Sequence, residues 1–468
     1  MDNLNSNIIE KIYNSYISFP WYPGQRDIKN PEVHNIRNNA ITRFKELGFP
    51  EMKDEDWRYT NPKDFYRGIP SGITPKGLSI PTKVKSSRDK NAFLTPDLSP
   101  AYAGMEMDNI VVNINGNFSE DFSSLKNIPR GVIVKDFKKA IEENPEIINT
   151  YFSKLANYKT ESFTALNTAF ANCGIFIYIP SNVIIDKPLA LLHFSGSDNQ
   201  DVLLQPRSLI IVENNSTLSI VESRYSLNNF NSNTINKKNI VFTNHVSEIY
   251  LKENSSLHHY KEHNENDNCL HLGNTYVKQE KFSKYKSFNI CWGGKIQRSN
   301  INTVLGGEGC ECYLKGLYLL DGNRHIDIRT VVDHAVPNCS SDELYKGIMA
   351  GESTGVFNGK IIVRKDAQKT VAYQSNKNLL LSDKAVINSK PQLEIFADDV
   401  KCSHGATTGR LDKDEVFYLR SRGISKKEAE NLLTYAFASE IITDIDNSLL
   451  REYLEAELHK KITLSTLT

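Results

Sequence analysis

The chain has 468 residues, 39% hydrophobic and 24% charged, with 56 Lys+Arg balanced by 56 Asp+Glu. That length buries a large core in more than one domain, and the zero formal net charge excludes a nucleic-acid or membrane-surface binder acting through bulk charge. Seven cysteines, an odd count, and an opening "MDNLNSNIIEKIYNSY" without a basic or apolar leader pattern predict a cytoplasmic protein with reduced thiols. No apolar run nears the roughly 20 residues of a membrane span.

In chain order, residues 1–104 read as an N-terminal helical domain. Val33, Ile36, Ala40, Ile41, Phe44 and Leu47 recur at three- and four-residue steps, and Gly48 and Pro50 close the helix. The Pro-, Gly-, Ser- and Lys-rich stretch near 71–100 predicts a flexible linker. Residues 105–404 carry short alternating runs such as "NIVVNING", "SLIIVENNSTLSIVES" and "EIYLKENSSLHHYKE", with turns expected at Asn115–Gly116, Asp321–Gly322 and Asn358–Gly359. Helical rhythm interrupts them only at about 136–172. "NSTL" at Asn215–Leu218 returns as "NSSL" at Asn254–Leu257, an echo that suits stacked coils. A large sandwich or barrel fits the same alternation.

Residues 405–468 return to helices. Asp412 caps the first, with Val416 and Leu419 as its apolar edge and Gly423 as its stop. Ser425 and Glu428 form a capping-box pattern for the second, whose expected buried face is Ala429, Leu432, Leu433, Ala436 and Phe437. A third spans about 444–461 and ends in His459, Lys460 and Lys461, which suit a helix C-terminus.

The chain carries no P-loop; "GVFNGKI" lacks its spacing and reads as strand-turn-strand, and "GGEG" opens into a strand. In "HHYKEH", His258 and His259 point to opposite faces of a strand, which predicts a solvated strand edge over a metal site at His259 and His263. Cys310 and Cys312 share a face and read as core packing. His325, Asp327, Asp333, His334 and Cys339 lack a fixed metal spacing and read as structural hydrogen bonders. Cys402 and His404, in "CSHGATTG", alternate on the expected last strand and share a face. They are suitable donors for iron or zinc, yet two ligands fall short of the four of a closed site.

The stretch from "LKGLYLLDGNRHIDIRTVVDHAVPNC" through "KPQLEIFADDVKCSHGATTGRLDKDEVFYLRSRGIS" resembles the SufB/SufD family of iron–sulfur cluster assembly proteins, as does "KDEDWRYTNP" at Lys53–Pro62. "SHGATT" follows the SufD form where the SufB form has Glu-His-Glu-Ala-Thr-Thr, and SufB's upstream Cys-Gly-Ala-His is missing from "LLSDKAVINSKPQLE". The resemblance implies a mainly β fold, a right-handed parallel β-helix flanked by helical domains. It implies a non-catalytic scaffold subunit of a SufBCD complex that pairs with SufB, or with itself where SufB is absent, and docks the SufC ATPase. The docking segment it implies comprises Asp412, Phe417, Tyr418, Arg420, Arg422 and Gly423. Cys402 and His404 would contribute to an iron or nascent-cluster site shared with SufB. A flavin is linked to such complexes, with no residue here assigned to it. The competing reading is a polysaccharide-acting β-helix enzyme, which lacks support from a clustered carboxylate pair.

Overall fold

The computed structural model describes residues 3–18, 29–66, 69, 108–197, 200–227 and 239–464. The linker expected near 71–100 lies outside them. Alternating strands feed two long sheets, an 11-stranded and a 10-stranded one, in which successive coils stack in parallel. Val241–Leu251, Cys269–Gln279 and Ile296–Leu305 pair in one sheet. Thr217–Ser226, Ser256–Asn264 and Lys284–Cys291 pair in the other. The result is a parallel β-solenoid of about eight turns, and of the two architectures that the alternation allowed, stacked coils are the one formed.

Register is kept coil after coil. Leu218, Leu257, Tyr285, Cys312, Ser341, Ala372 and Cys402 form one column of paired residues. The Asn echo marks a corner: Asn182, Asn215, Asn254, Phe282, Asn338 and Lys369 all have φ between 57° and 63°. Asn tolerates this left-handed region better than most side chains. Its amide also bridges coils, Asn254 Nδ2 donating to Asn215 Oδ1 (2.9 Å) and Asn215 Nδ2 to Asn182 Oδ1 (3.0 Å).

The expected turns at Asn115–Gly116 and Asp321–Gly322 lie between strands. Asn358–Gly359 does not; it sits inside the straight strand Thr354–Val363. Here the missing side chain makes room across the coil, since a Cβ on Gly359 would meet Gln374 Nε2 at 2.4 Å.

The coil interior is apolar on one side, where Ile210, Ile249 and Ile301 meet Leu218, Leu257 and Tyr285. Beyond them it is polar: Arg224 bonds His245 Nδ1 across the sheets at 2.8 Å, and Glu343 accepts from Thr330 Oγ1 and Gln374 Nε2, both at 2.9 Å. This corrects the solvated edge expected of "HHYKEH". The strand Ser256–Asn264 is paired on both sides, and His259 and His263 are buried in the interior.

Helices cover both outer faces. Pro31–Leu47 has Asn30 as N-cap, buries Val33, Ala40, Ile41 and Phe44, and ends at Gly48 with φ 65°. N-terminal side chains, Tyr16 and Phe44 among them, pack over Phe242 and Leu270. The "DWRYT" element is pinned to the sheet. The Arg298 guanidinium lies 3.9 Å from the Trp57 ring centre, and Thr60 Oγ1 donates to Asp327 Oδ2 at 2.7 Å. His325 and Asp327 are thus structural hydrogen bonders, and Asp327 also takes Arg298 at 2.8 Å and Arg329 at 3.1 Å. Between the strands Ile133–Asp136 and Gly174–Ile179, the helices Phe137–Glu143, Pro145–Tyr151 and Ser162–Ala169 supply the helical insertion.

At the C-terminus, Lys426–Ile442 has the full Ser425–Glu428 capping box. Its buried face is Ala429, Thr434, Ala438, Ile441 and Ile442, whereas Leu432 is exposed. The apolar seam therefore drifts toward the C-terminal end, where the helix and Ser448–Leu464 lie on Phe288, Trp292 and Leu317 of the sheet.

Candidate site at the open end of the solenoid

Among the described residues, the coils stop without a cap. Val400–Gly409 pairs only with Thr370–Leu380, and Val386–Ile395 only with Thr354–Val363, among the described residues. Each leaves a row of backbone donors and acceptors on its free edge, the arrangement that recruits another strand. Val386, Ile395 and Phe396 are exposed beside it. A Cβ added at Gly405 or Gly409 would meet nothing within 4 Å, and residues 403–410 are exposed.

Cys402 and His404 lie on this strand at alternate positions, in register with Ala372 and Gln374. Cys402 is half-buried against Ile361, Ala372 and Leu393, while His404 is exposed. Burial holds the Cys402 thiol above its ordinary pKa, so in the chain by itself it is a protonated thiol; an adjoining cation or metal would draw the proton off. Below His404 in the same column lie Gln374 and Glu343. Burial pushes Glu343 up to about 7, with Gln374 and Thr330 hydrogen bonds opposing the shift. Cys402 and His404 thus place a thiol and an imidazole two residues apart on the last strand, above the buried Gln374 and Glu343. The other sequence candidates are elsewhere: Cys310, Cys312 and Cys339 are in the apolar core, and His334 bonds Ser341 Oγ at 2.9 Å.

Three residues after the strand, the helix Lys413–Ser421 begins, with Asp412 Oδ1 accepting from Asp414 N at 2.8 Å. It buries no residue at all. Phe417 is 70% and Tyr418 58% exposed, an unusual display for a nine-residue helix that cannot hold itself together by propensity. Arg422 lies with its Cζ 5.2 Å from the Tyr418 ring centre, and Gly423 turns the chain at φ 90°. A cleft of about 620 Å³ separates this helix from the next, lined by Leu411, Val416, Phe417, Arg420, Glu430 and Thr434.

A family model described as the SUF system FeS cluster assembly, SufBD core domain matches residues 194–437. It spans the polar coils, the open end and the exposed helix together. The chain belongs to the SufBD family. A second model, for the SufBD protein N-terminal region, matches residues 25–191. An iron–sulfur cluster assembly SufBD family protein of Synechocystis is 33% identical over 411 residues, covering 88% of this chain and 87% of the relative. The iron–sulfur cluster assembly protein SufD of Escherichia coli is 32% identical over 426 residues (90% and 91%), and SufD of Bacillus subtilis 27% over 445 (92% and 94%). SufBD membership makes iron–sulfur cluster assembly the setting in which the open rim has to be understood. No helix among the described residues is long and apolar enough to cross a membrane.

Sequence reasoning found the Cys402–His404 pair but passed over Glu343, and also over Glu265 and His271 near His263. The signal for the last two was on the page in "HNENDNCLH", where donors alternate around a tight reversal.

Proposed function

We propose that this chain is the SufD-type accessory subunit of a cytosolic SUF assembly complex, without catalytic turnover of its own. Its open end pairs with SufB, so that a SufB strand continues the sheet at Val400–Gly409 and supplies the ligands that Cys402 and His404 lack. Iron or a nascent cluster is the cargo at that rim. The carrying observation is the pair of donor side chains on an exposed strand that is paired along one edge only among the described residues. SufC, the ATPase partner, docks at Phe417, Tyr418, Arg420 and Arg422, flanked by the Asp412 cap and the Gly423 stop. Only Arg410–Asp412 separates the docking helix from the rim strand, so movement of the helix by SufC would be delivered directly to Cys402 and His404.

The test is co-expression with SufB and SufC. His404→Ala is expected to leave the complex assembled and to lower its cluster content after anaerobic purification. Unchanged cluster content in an intact complex would overturn the ligand role. Where SufB is absent the same edge would pair two copies of this chain.

A further inference from the structure

Several coils before the rim, three potential ligands converge inside the solenoid. One ligand atom from each of His263, Glu265 and His271 lies within 4.8 Å of the others, and the residues are 5%, 7% and 3% exposed. His263 is on the interior face of Ser256–Asn264, His271 on that of Cys269–Gln279, and Glu265 in the reversal that joins them. The two imidazole rings lie with centres 4.9 Å apart. His263 Nδ1 and His271 Nδ1 are buried without a hydrogen-bond partner, an arrangement that costs stability unless something else satisfies them.

We infer that His263, Glu265 and His271 form a binding site for one borderline divalent transition-metal ion, zinc or iron(II), inside the coil and separate from the Cys402–His404 rim. Glu265 Oε2 stands 3.6 Å from His271 Nδ1. That is too long for a hydrogen bond and close to the edge of a tetrahedron with roughly 2.1 Å metal–ligand bonds. No two of the ligand atoms are more than 4.8 Å apart, and side-chain rotations would bring them to the ~3.4 Å edge of that tetrahedron. Glu265 Oε1 accepts from Ser195 Oγ at 2.8 Å, which orients the carboxylate with Oε2 free, the usual support for a metal-bound carboxylate. Two imidazoles and one carboxylate leave a coordination position open, as in sites that keep a water.

Burial, with Arg224 nearby, holds both imidazoles well below their ordinary pKa, so they are neutral as ligands must be. The charged surroundings permit the cation. Arg224 is paired with Glu222. Because the site is closed, the ion would enter while the coils form.

The experiment uses the full chain carrying Cys402→Ala and His404→Ala, expressed in zinc- or iron-supplemented medium (the latter purified anaerobically), dialysed against EDTA and measured for metal by mass spectrometry. About one ion per chain is expected. Glu265→Gln keeps the size and the Ser195 contact, and with His271→Gln it should cut occupancy at least about tenfold while circular dichroism stays unchanged. A metal-free background chain, or equal metal in the two variants, overturns the site. Should a variant misfold, cobalt(II) supplied during expression of the background chain gives the answer. A visible spectrum of nitrogen and oxygen ligation supports the site, and a thiolate charge-transfer band, placing the ion on a cysteine, refutes it.

Discussion

Replacing Glu343 by Gln removes the one charge in the polar column beneath His404 and should make the protein less sensitive to pH. Glu343 is 1% exposed, and burial raises its pKa from the ordinary 4.5 to about 7. Between those values the folded chain holds a proton that the unfolded chain has released. Stability therefore falls as pH rises from 4.5 through 7 and is flat above. Taken at face value the gap corresponds to about 3 kcal/mol. Gln cannot ionise, and its carbonyl oxygen can still accept from Thr330 and Gln374. Its amide nitrogen takes the place of Oε1, which is buried without a partner, and this offsets part of the gain. The expected result is a variant more stable than the parent by about 1–3 kcal/mol at pH 8 and equal to it near pH 4.5. With an unfolding entropy of roughly 1 kcal/mol/K for a chain of this length, that is about 1–3 °C in Tm, readable by differential scanning calorimetry across the pH range. Tm curves of parent and variant that run parallel from pH 4.5 to 8 would refute the assignment of a charged, desolvated Glu343.

Asp327→Asn should destabilise by roughly 3 kcal/mol, because Arg298 and Arg329 then lose the buried carboxylate they share and Arg329 keeps only the exposed Asp56; urea unfolding measures it, and early proteolysis of the Trp57 segment should accompany it. Phe417→Ala with Tyr418→Ala should change the stability of the chain by less than ~0.5 kcal/mol, since both side chains are exposed, yet abolish capture of SufC in a pull-down. Retained capture would remove that helix from the docking surface.

Periodic elements were legible because packing and propensity agree there. The helix Pro31–Leu47, its Gly48 stop, the Ser425 capping box and the corner asparagines were each visible as local patterns, and each serves a local need for capping or a left-handed φ. The interior was not. Alternation reads inward residues as apolar, but these coils point His259, Lys261 and His263 inward, and an inward histidine has the same sequence signature as an outward one. Asn358–Gly359 misled for a related reason: its glycine answers to Gln374 on a neighbouring coil, a contact made only once the register exists. Of the rim, the pair Cys402 and His404 was readable from their spacing on one strand, whereas the free edge beside them is a property of the finished stack.

The two C-terminal helices brace the solenoid from outside. Tyr453 OH donates to Glu262 at 3.0 Å, Lys461 bonds Asn264 at 2.8 Å, Lys286 pairs with Asp446 at 2.9 Å, and Lys346 reaches the Phe437 carbonyl at 2.7 Å. A repeat fold ordinarily evolves by gaining or losing whole repeats. Here a coil inserted between Ser256 and Met349 would shift half of these anchors by one strand spacing of about 4.8 Å and break the match with a helix of fixed rise. A coil added beyond Gly409, or lost there, would cross none of them. The brace thus sets the number of coils in the body while leaving the rim free to lengthen or shorten, so variation in coil number among relatives should collect at the end that meets the partner.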